Sequence, residues 1–265
     1  QGYSSAASDV YKRQIQSDYQ GTAQSVTNDD SIEMVNEWVE KQTNGKITNI
    51  LSEENRGYVC ALANAIYMKA DWVNKFEKEG TYKETFTDIN GDESEIDFMH
   101  QAADFKYYEN GDTKAVKLPY KNGLSMVVVL GDTKNILNDI HNNKMTSKLV
   151  DVSLPKFKAE YSIDYVNILK NMGIEKAFDN QNADFSLMLE NYPERIKIDS
   201  VLQKAMIDVD EKGTEAAAAT VAVLTKSALS VDEEVIEFRA DKPFTYYILD
   251  DNGNVYFAGR YVKAE

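Results

Sequence analysis

The run Asp208-Val-Asp-Glu-Lys-Gly-Thr-Glu-Ala-Ala-Ala-Ala-Thr-Val-Ala-Val-Leu-Thr-Lys-Ser-Ala-Leu229 decides how the rest of the chain is read. It is entered through Lys204-Ala-Met-Ile-Asp-Val-Asp210, where Ala205, Ile207 and Val209 alternate with polar residues at the period of a strand. Gly213 follows as a hinge, and then a run of small residues almost free of charge. Read as extended chain, Thr214, Ala216, Ala218, Thr220 and Ala222 share one face, and Glu215, Ala217, Ala219 and Val221 the other. The first face carries nothing larger than threonine, so it can slide over a packed core without overfilling it. Four consecutive alanines also favour a short helix. Both readings stand, because a segment exposed in one state and a strand in another needs small, tolerant side chains. A calcium loop does not stand: Asp208, Asp210 and Gly213 fall at its first, third and sixth positions, but Lys212 and Ala219 occupy ligand positions.

With 265 residues and 43% apolar content, the chain can bury one large core or two small ones. A net charge of −15 argues against nucleic acid and anionic membrane as partners and suits a soluble, secreted or abundant protein. Cys60 is the single cysteine, which excludes an internal disulfide, and its apolar neighbours suggest a small buried hydrophobe. No apolar run approaches the ~20 residues of a membrane span. Residues 1–14 lack the apolar centre of a signal peptide.

Residues 1–17 read as a leader of no clear fold, and residues 18–265 as one domain. Ile32, Val35, Trp38 and Val39 recur at helical steps, closed by Asn44-Gly45. Tyr58-Val-Cys-Ala-Leu-Ala-Asn-Ala-Ile-Tyr-Met68 reads as a strand covered on both faces, with Asn64 its one polar interruption. Asn90-Gly91 marks a hairpin. Residues 116–119 and 124–130 are two further strands, the second apolar enough to be central. Residues 133–149 read as a helix, 150–161 as extended chain, and 165–172 as an amphipathic helix ended by Gly173. Two strands at the C-terminus turn at Asp251-Asn-Gly253. The class is α+β with large, mostly antiparallel or mixed sheets.

Catalytic chemistry is absent from this pattern. His100 and His141 are the only histidines, and both read as surface residues. No Gly-x-Ser-x-Gly elbow, His-Glu-x-x-His pair or phosphate loop occurs. The expectation is a protein that is not an enzyme, with no cofactor and no metal.

Glu211-Lys-Gly-Thr-Glu-Ala-Ala-Ala-Ala-Thr220 resembles the hinge of the reactive-centre loop of inhibitory serpins, nearly residue for residue. The resemblance extends over residues 18–265. Val35-Asn-Glu-Trp-Val39 with Thr43-Asn-Gly-Lys-Ile47 is similar to helix F of that family and its exit. Leu62-Ala-Asn-Ala-Ile-Tyr-Met-Lys-Ala-Asp-Trp72 looks like the third strand of its sheet A with the breach tryptophan. Leu118-Pro-Tyr120, Leu154-Pro-Lys-Phe157, Asp184-Phe-Ser186, Asp241-Lys-Pro-Phe244 and Phe257-Ala-Gly-Arg260 match in order.

The resemblance implies a serpin fold with an exposed reactive-centre loop, and a suicide inhibitor of serine proteases, with cysteine proteases as a second target class. A protease would attack the loop, and the loop would insert as a new strand of sheet A. By the same resemblance Glu211, Gly213 and Thr214 form the hinge, and Ala216, Ala217, Ala218, Ala219 and Thr220 the inserting segment. Lys156 pairs with Glu211 in the breach beside Trp72. Asn64 and Gln203 lie in the shutter, Gln203 standing where the family usually has histidine. The family's count from Glu211 puts the reactive bond at Ser227–Ala228, which suits elastase-like or subtilisin-like enzymes; a trypsin-like enzyme would cut after Lys226. The elements that precede helix F in the family have no counterpart, so the expectation is an N-terminally truncated member prone to loop–sheet self-association. A non-inhibitory serpin or an inert fragment remains the alternative. The family also implies an extracellular location.

Overall fold

Helix α1 (Ser31–Gln42) forms where the apolar residues repeat at three- and four-residue steps. It belongs to a computed structural model that describes residues 13–18, 21–23, 30–185, 196–214 and 235–264. Residues 216–220, Lys226, Ser227 and Ala228, named above for the inserting segment and the reactive bond, lie outside the described residues. Residues 13–18, within the stretch read as a leader and just past it, form a helical turn. The chain folds as two compact units, one of residues 1–67 and 160–206, the other of residues 68–159 and 207–265.

In the first unit, β1 (Ala61–Tyr67) pairs parallel with residues 200–206 of β9 (Ser200–Asp210). Val39 of α1 is fully buried with Ile47, Ile50, Leu51 and Met206, and Ala63, Ala65 and Leu202 pack against this cluster. Asn36 fixes the helix to the chain that follows it. Its Oδ1 accepts the N–H groups of Ile50 and Leu51, each at 2.9 Å, and its Nδ2 donates to the Leu51 carbonyl at 3.0 Å. Strand β1 is therefore covered on one face only. Leu62 and Asn64, on the other, are exposed, contrary to the expectation of a strand buried on both sides. Its small residues suit close approach of α1 rather than burial between layers.

The second unit is dominated by an eight-stranded sheet in the order β11-β7-β4-β5-β6-β12-β13, with β3 paired to β4. These strands are β3 (Tyr82–Thr87), β4 (Glu93–Asn110), β5 (Thr113–Pro119), β6 (Leu124–Leu130), β7 (Thr146–Pro155), β11 (Ile236–Arg239), β12 (Phe244–Asp250) and β13 (Val255–Tyr261). The 18 residues of β4 change partner along their length, from β3 through β7 to β5. Val127, Val128 and Met126 of β6 are fully buried, as the apolar run requires of a central strand. Phe86, Phe98, Phe238, Phe244 and Leu154 fill the core on one side of the sheet. Short strands β2 (Ala70–Asp71) and β10 (Gly213–Thr214) and the 157–159 segment of β8 (Phe157–Asp164) complete this unit.

The expected helix over 133–149 is much shorter: α2 spans Ile136–His141. Asn143 adopts φ 57°, which ends the helix, and the chain then alternates into β7, burying Val150, Val152 and Leu154 against β4. Helix α3 (Val166–Asn171) ends before Gly173, at φ 93°.

Gly259 on β13 faces Tyr246 on β12, and an added Cβ would stand 2.4 Å from the Tyr246 ring carbon Cζ. Burial pushes the Tyr246 hydroxyl up to about 12. Gly259→Ala should cost about 1–3 kcal/mol, the usual penalty of overpacking. Urea denaturation checks this, and in a Tyr246→Ala background the penalty should vanish.

Candidate functional site

The chain reverses at the end of β9. Asp210 Oδ1 accepts the backbone N–H of Lys212 at 2.9 Å and of Gly213 at 3.2 Å, closing a tight turn. Gly213 has φ 145°, and a Cβ there would lie 2.1 Å from the Ala70 carbonyl oxygen and 2.7 Å from Asp71 Cα. Only glycine fits. The two residues beyond the turn form β10, antiparallel to β9 on one side and to β2 on the other; Gly213 faces Asp210 and Asp71, and Thr214 faces Val209 and Ala70.

Trp72 anchors this turn from beneath. It is 1% exposed; its backbone N–H donates to the Lys212 carbonyl at 2.9 Å and its indole N–H to the Asp210 carbonyl at 3.0 Å. Its ring stacks on Tyr120 at 4.2 Å and meets Phe76 edge-on at 6.1 Å. The Phe76 N–H donates to the Glu211 carbonyl at 2.9 Å. The side chain of Glu211 is 8% exposed and accepts from Lys156 Nζ at 3.0 Å. Burial works against its ionisation, but its own backbone N–H and the Lys156 ammonium outweigh that and hold the carboxyl below its ordinary value. Trp72, Lys156, Glu211, Gly213 and Thr214 are thus brought together in one unit.

Asn64 and Gln203 belong to the other unit, where they are register partners in the β1–β9 pair, on the face away from Ala63 and Ala65. The sequence marks Tyr120 in Leu118-Pro-Tyr120 and Asp210 at the end of a strand, but it assigns neither of them, nor Phe76, a place in the seat of Trp72 and the turn.

Among the described residues around this turn, no nucleophile is placed beside a base. His100 is not on the surface: its Nδ1 lies 2.8 Å from the Gly80 carbonyl, its ring stacks on Tyr82, and its Nε2 lies 3.3 Å from Glu84. Cys60 is half-buried rather than buried, and burial followed by the Asp199 charge pushes its thiol up. Among the described residues, no three His, Cys, Asp or Glu side chains are placed to hold a metal, and no helix is long and apolar enough to cross a membrane.

The chain that forms this turn is similar to known proteins along nearly its whole length. The serpin (serine protease inhibitor) family model covers residues 4–264. An uncharacterized serpin-like protein of Thermococcus kodakarensis is 37% identical over 243 residues, 85% of this chain and 55% of its own length. A serpin-like protein of Methanosarcina mazei is 37% identical over 88% of this chain and 57% of its own. The crystal structure of a highly specific serpin of the insect Tenebrio molitor superposes with TM-score 0.79 at 31% identity, covering 97% of this chain and 72% of that one. The chain belongs to the serpin family. It spans little more than half the length of the two curated relatives named here.

The Glu211 carboxyl sits lower folded than its ordinary value of 4.5, so its stabilising effect is complete above that value and is lost as pH falls through the folded one. Glu211→Gln should therefore be less stable than the parent at neutral pH, by about 1–3 kcal/mol as for a hydrogen bond to a charged group. The difference should narrow as the pH falls below 4.5. Denaturation followed by tryptophan fluorescence at pH 7 and pH 3.5 checks it.

Proposed function

We propose that this chain is an inhibitory serpin that traps serine proteases by inserting its own loop between β1 and β9 after cleavage. Members of the family are mostly protease inhibitors rather than catalysts. The observation that carries the reading is β10: Gly213 and Thr214 already lie as a strand, antiparallel to both neighbours, and the chain leaves them toward the small-residue run. If the register continued along β9, Ala216 would face Ile207, Ala218 would face Ala205, and Thr220 would face Gln203. Thr214 and Ala216 would then lie on the side of Val209 and Ile207, both buried, where only small side chains go in without overpacking.

The energetics favour insertion. Residues 61–67 and 200–206 now form one parallel ladder. An inserted strand would break it and make two antiparallel ladders, which are slightly stronger per residue. The net gain is about one ladder, on the order of 10 kcal/mol for ten residues at ~1 kcal/mol per bond. That is enough to drive an irreversible change.

The reactive bond is assigned to Ser227–Ala228, and the target to an elastase-like or subtilisin-like enzyme. Small and apolar residues dominate Val221-Ala-Val-Leu-Thr225 and Ala228-Leu229, and Lys226 is the only basic side chain nearby. Incubation with elastase should give an SDS-resistant one-to-one complex, with a released C-terminal peptide that begins at Ala228 by mass spectrometry. A peptide beginning at Ser227, with trapping by trypsin alone, would reverse the assignment to Lys226. Ala216→Arg should convert the inhibitor into a substrate, because an unpaired arginine brought to the side of Val209 and Ile207 opposes insertion. Equal trapping by that variant would remove the insertion mechanism.

A further inference from the structure

The parallel pair β1–β9 is fastened at one end by a single carboxylate. Asp199, the residue before β9, accepts the backbone N–H groups of Val59 at 2.7 Å and Cys60 at 3.1 Å through Oδ2. Lys197 Nζ holds its Oδ1 at 2.7 Å. The Asp199 N–H in turn donates to the Cys60 carbonyl at 2.8 Å. Val59 and Cys60 lead directly into β1, so this one residue joins the first residues of both strands.

The opposite edge of β9 has its own carboxylate. Asp164, the last residue of β8, accepts the Ser200 hydroxyl and the N–H groups of Val201 at 3.2 Å and Val166 at 2.9 Å. Burial opposes ionisation of both aspartates. It is outweighed at Asp199 by Lys197 and the amides of Cys60 and Val59, and at Asp164 by Ser200 and the amides of Val166 and Val201. The difference is what each one spans. Among the described residues, the donors to Asp164 lie across the β8–β9 seam and beside it, whereas those from Val59 and Cys60 reach Asp199 across the β1–β9 seam.

We propose that Asp199 is the latch of the β1–β9 seam, a positioning residue that sets how readily these two strands part. The inference rests on the insertion reading, in which β1 must leave β9 while β8 stays. Parting the strands strips both backbone donors from one oxygen of Asp199 and leaves all the donors of Asp164 in place. Asp199 lies at the end of β9 remote from β10, so a strand growing from Thr214 meets the latch last. The latch resists completion of insertion more than its start.

The test compares the parent with Asp199→Ala, Asp199→Asn and Asp164→Asn. Amide hydrogen exchange at residues 61–67 and 200–206 reads the seam with no protease present. Annealing of a synthetic peptide of residues 214–224, followed by native gel shift, reads admission of a strand. Asp199→Ala should speed both by roughly tenfold or more, the factor expected for losing hydrogen bonds to a charged group. Asp199→Asn should fall between, because an amide oxygen still accepts the two N–H groups while the Lys197 ion pair is lost. Asp164→Asn should lower the unfolding midpoint without speeding annealing. Seam exchange in Asp199→Ala within twofold of the parent would overturn the latch, as would equal acceleration of annealing by Asp164→Asn. Should Asp199→Ala fail to fold, the same comparison on Asp199→Asn decides. Failure of the insertion reading looks different: no variant would anneal the peptide or trap elastase, while faster seam exchange in Asp199→Ala would still identify the latch.

Discussion

A side chain at residue 213 has nowhere to go, because its Cβ would stand within 3 Å of the Ala70 carbonyl, Asp71 Cα and Trp72 nitrogen. Two backbones approach this closely only where one of them carries a glycine. The approach seats Thr214 opposite Ala70, aligns the Lys212 carbonyl with the Trp72 N–H, and turns Glu211 inward to Lys156. Each of those bonds fixes the direction in which the chain leaves β9. The turn and its aromatic seat therefore depend on one missing side chain more than on any attractive contact.

The acidic charge of the chain divides into two kinds. Much of it is solvated and contributes to the net charge of −15 that disfavours nucleic acid and anionic membrane as partners. The rest works inside the fold as an acceptor for backbone N–H groups that the sheets leave over. Asp88 takes the N–H groups of Asn90 and Asp92 in the β3–β4 turn, and Asp210 those of Lys212 and Gly213. Asp139 holds α2 to β4 through the Tyr108 hydroxyl at 2.5 Å and to Lys144 at 2.7 Å. A carboxylate has about four acceptor positions, so one side chain can finish two strand ends at once. Glu211, Asp164 and Asp199 use that capacity where the strands around β9 begin or end.

Periodic elements were legible in the sequence because one residue type decides each of them. The helical steps from Ile32 to Val39, the Asn90-Gly91 turn and the apolar run of β6 each carry their own signal. Gly213 could be read as a hinge for the same reason. Residues 142–149 read as helix in the sequence and are not, since Asn143 in the left-handed region ends α2 and tertiary pairing with β4 draws residues 146–149 into a strand. The exposure of β1 was also out of reach: an Ala-rich apolar run looks the same whether a helix covers one face or layers cover both. The Asp199 contacts join residues about 140 positions apart, and no local pattern marks one aspartate among so many.

One charge in the small-residue run needs a physical account. If the register of β10 continued by one residue, Glu215 would face Asp208 on β9, a like-charge pair that a sheet tolerates poorly. The same continuation on the other side would bring Glu215 opposite Lys69, which is exposed. In that register a glutamate between an aspartate and a lysine would point away from the face of Val209 and Ile207, and could keep its charge in water with the lysine as partner. On the same continuation Thr214 and Ala216 would lie on the side of Val209 and Ile207, and they carry no charge to desolvate. On the proposed insertion, the alternation of Thr, Glu and Ala after Gly213 would suit an entering strand with two unequal faces. A helix formed from the same alanines places no such demand on residue 215.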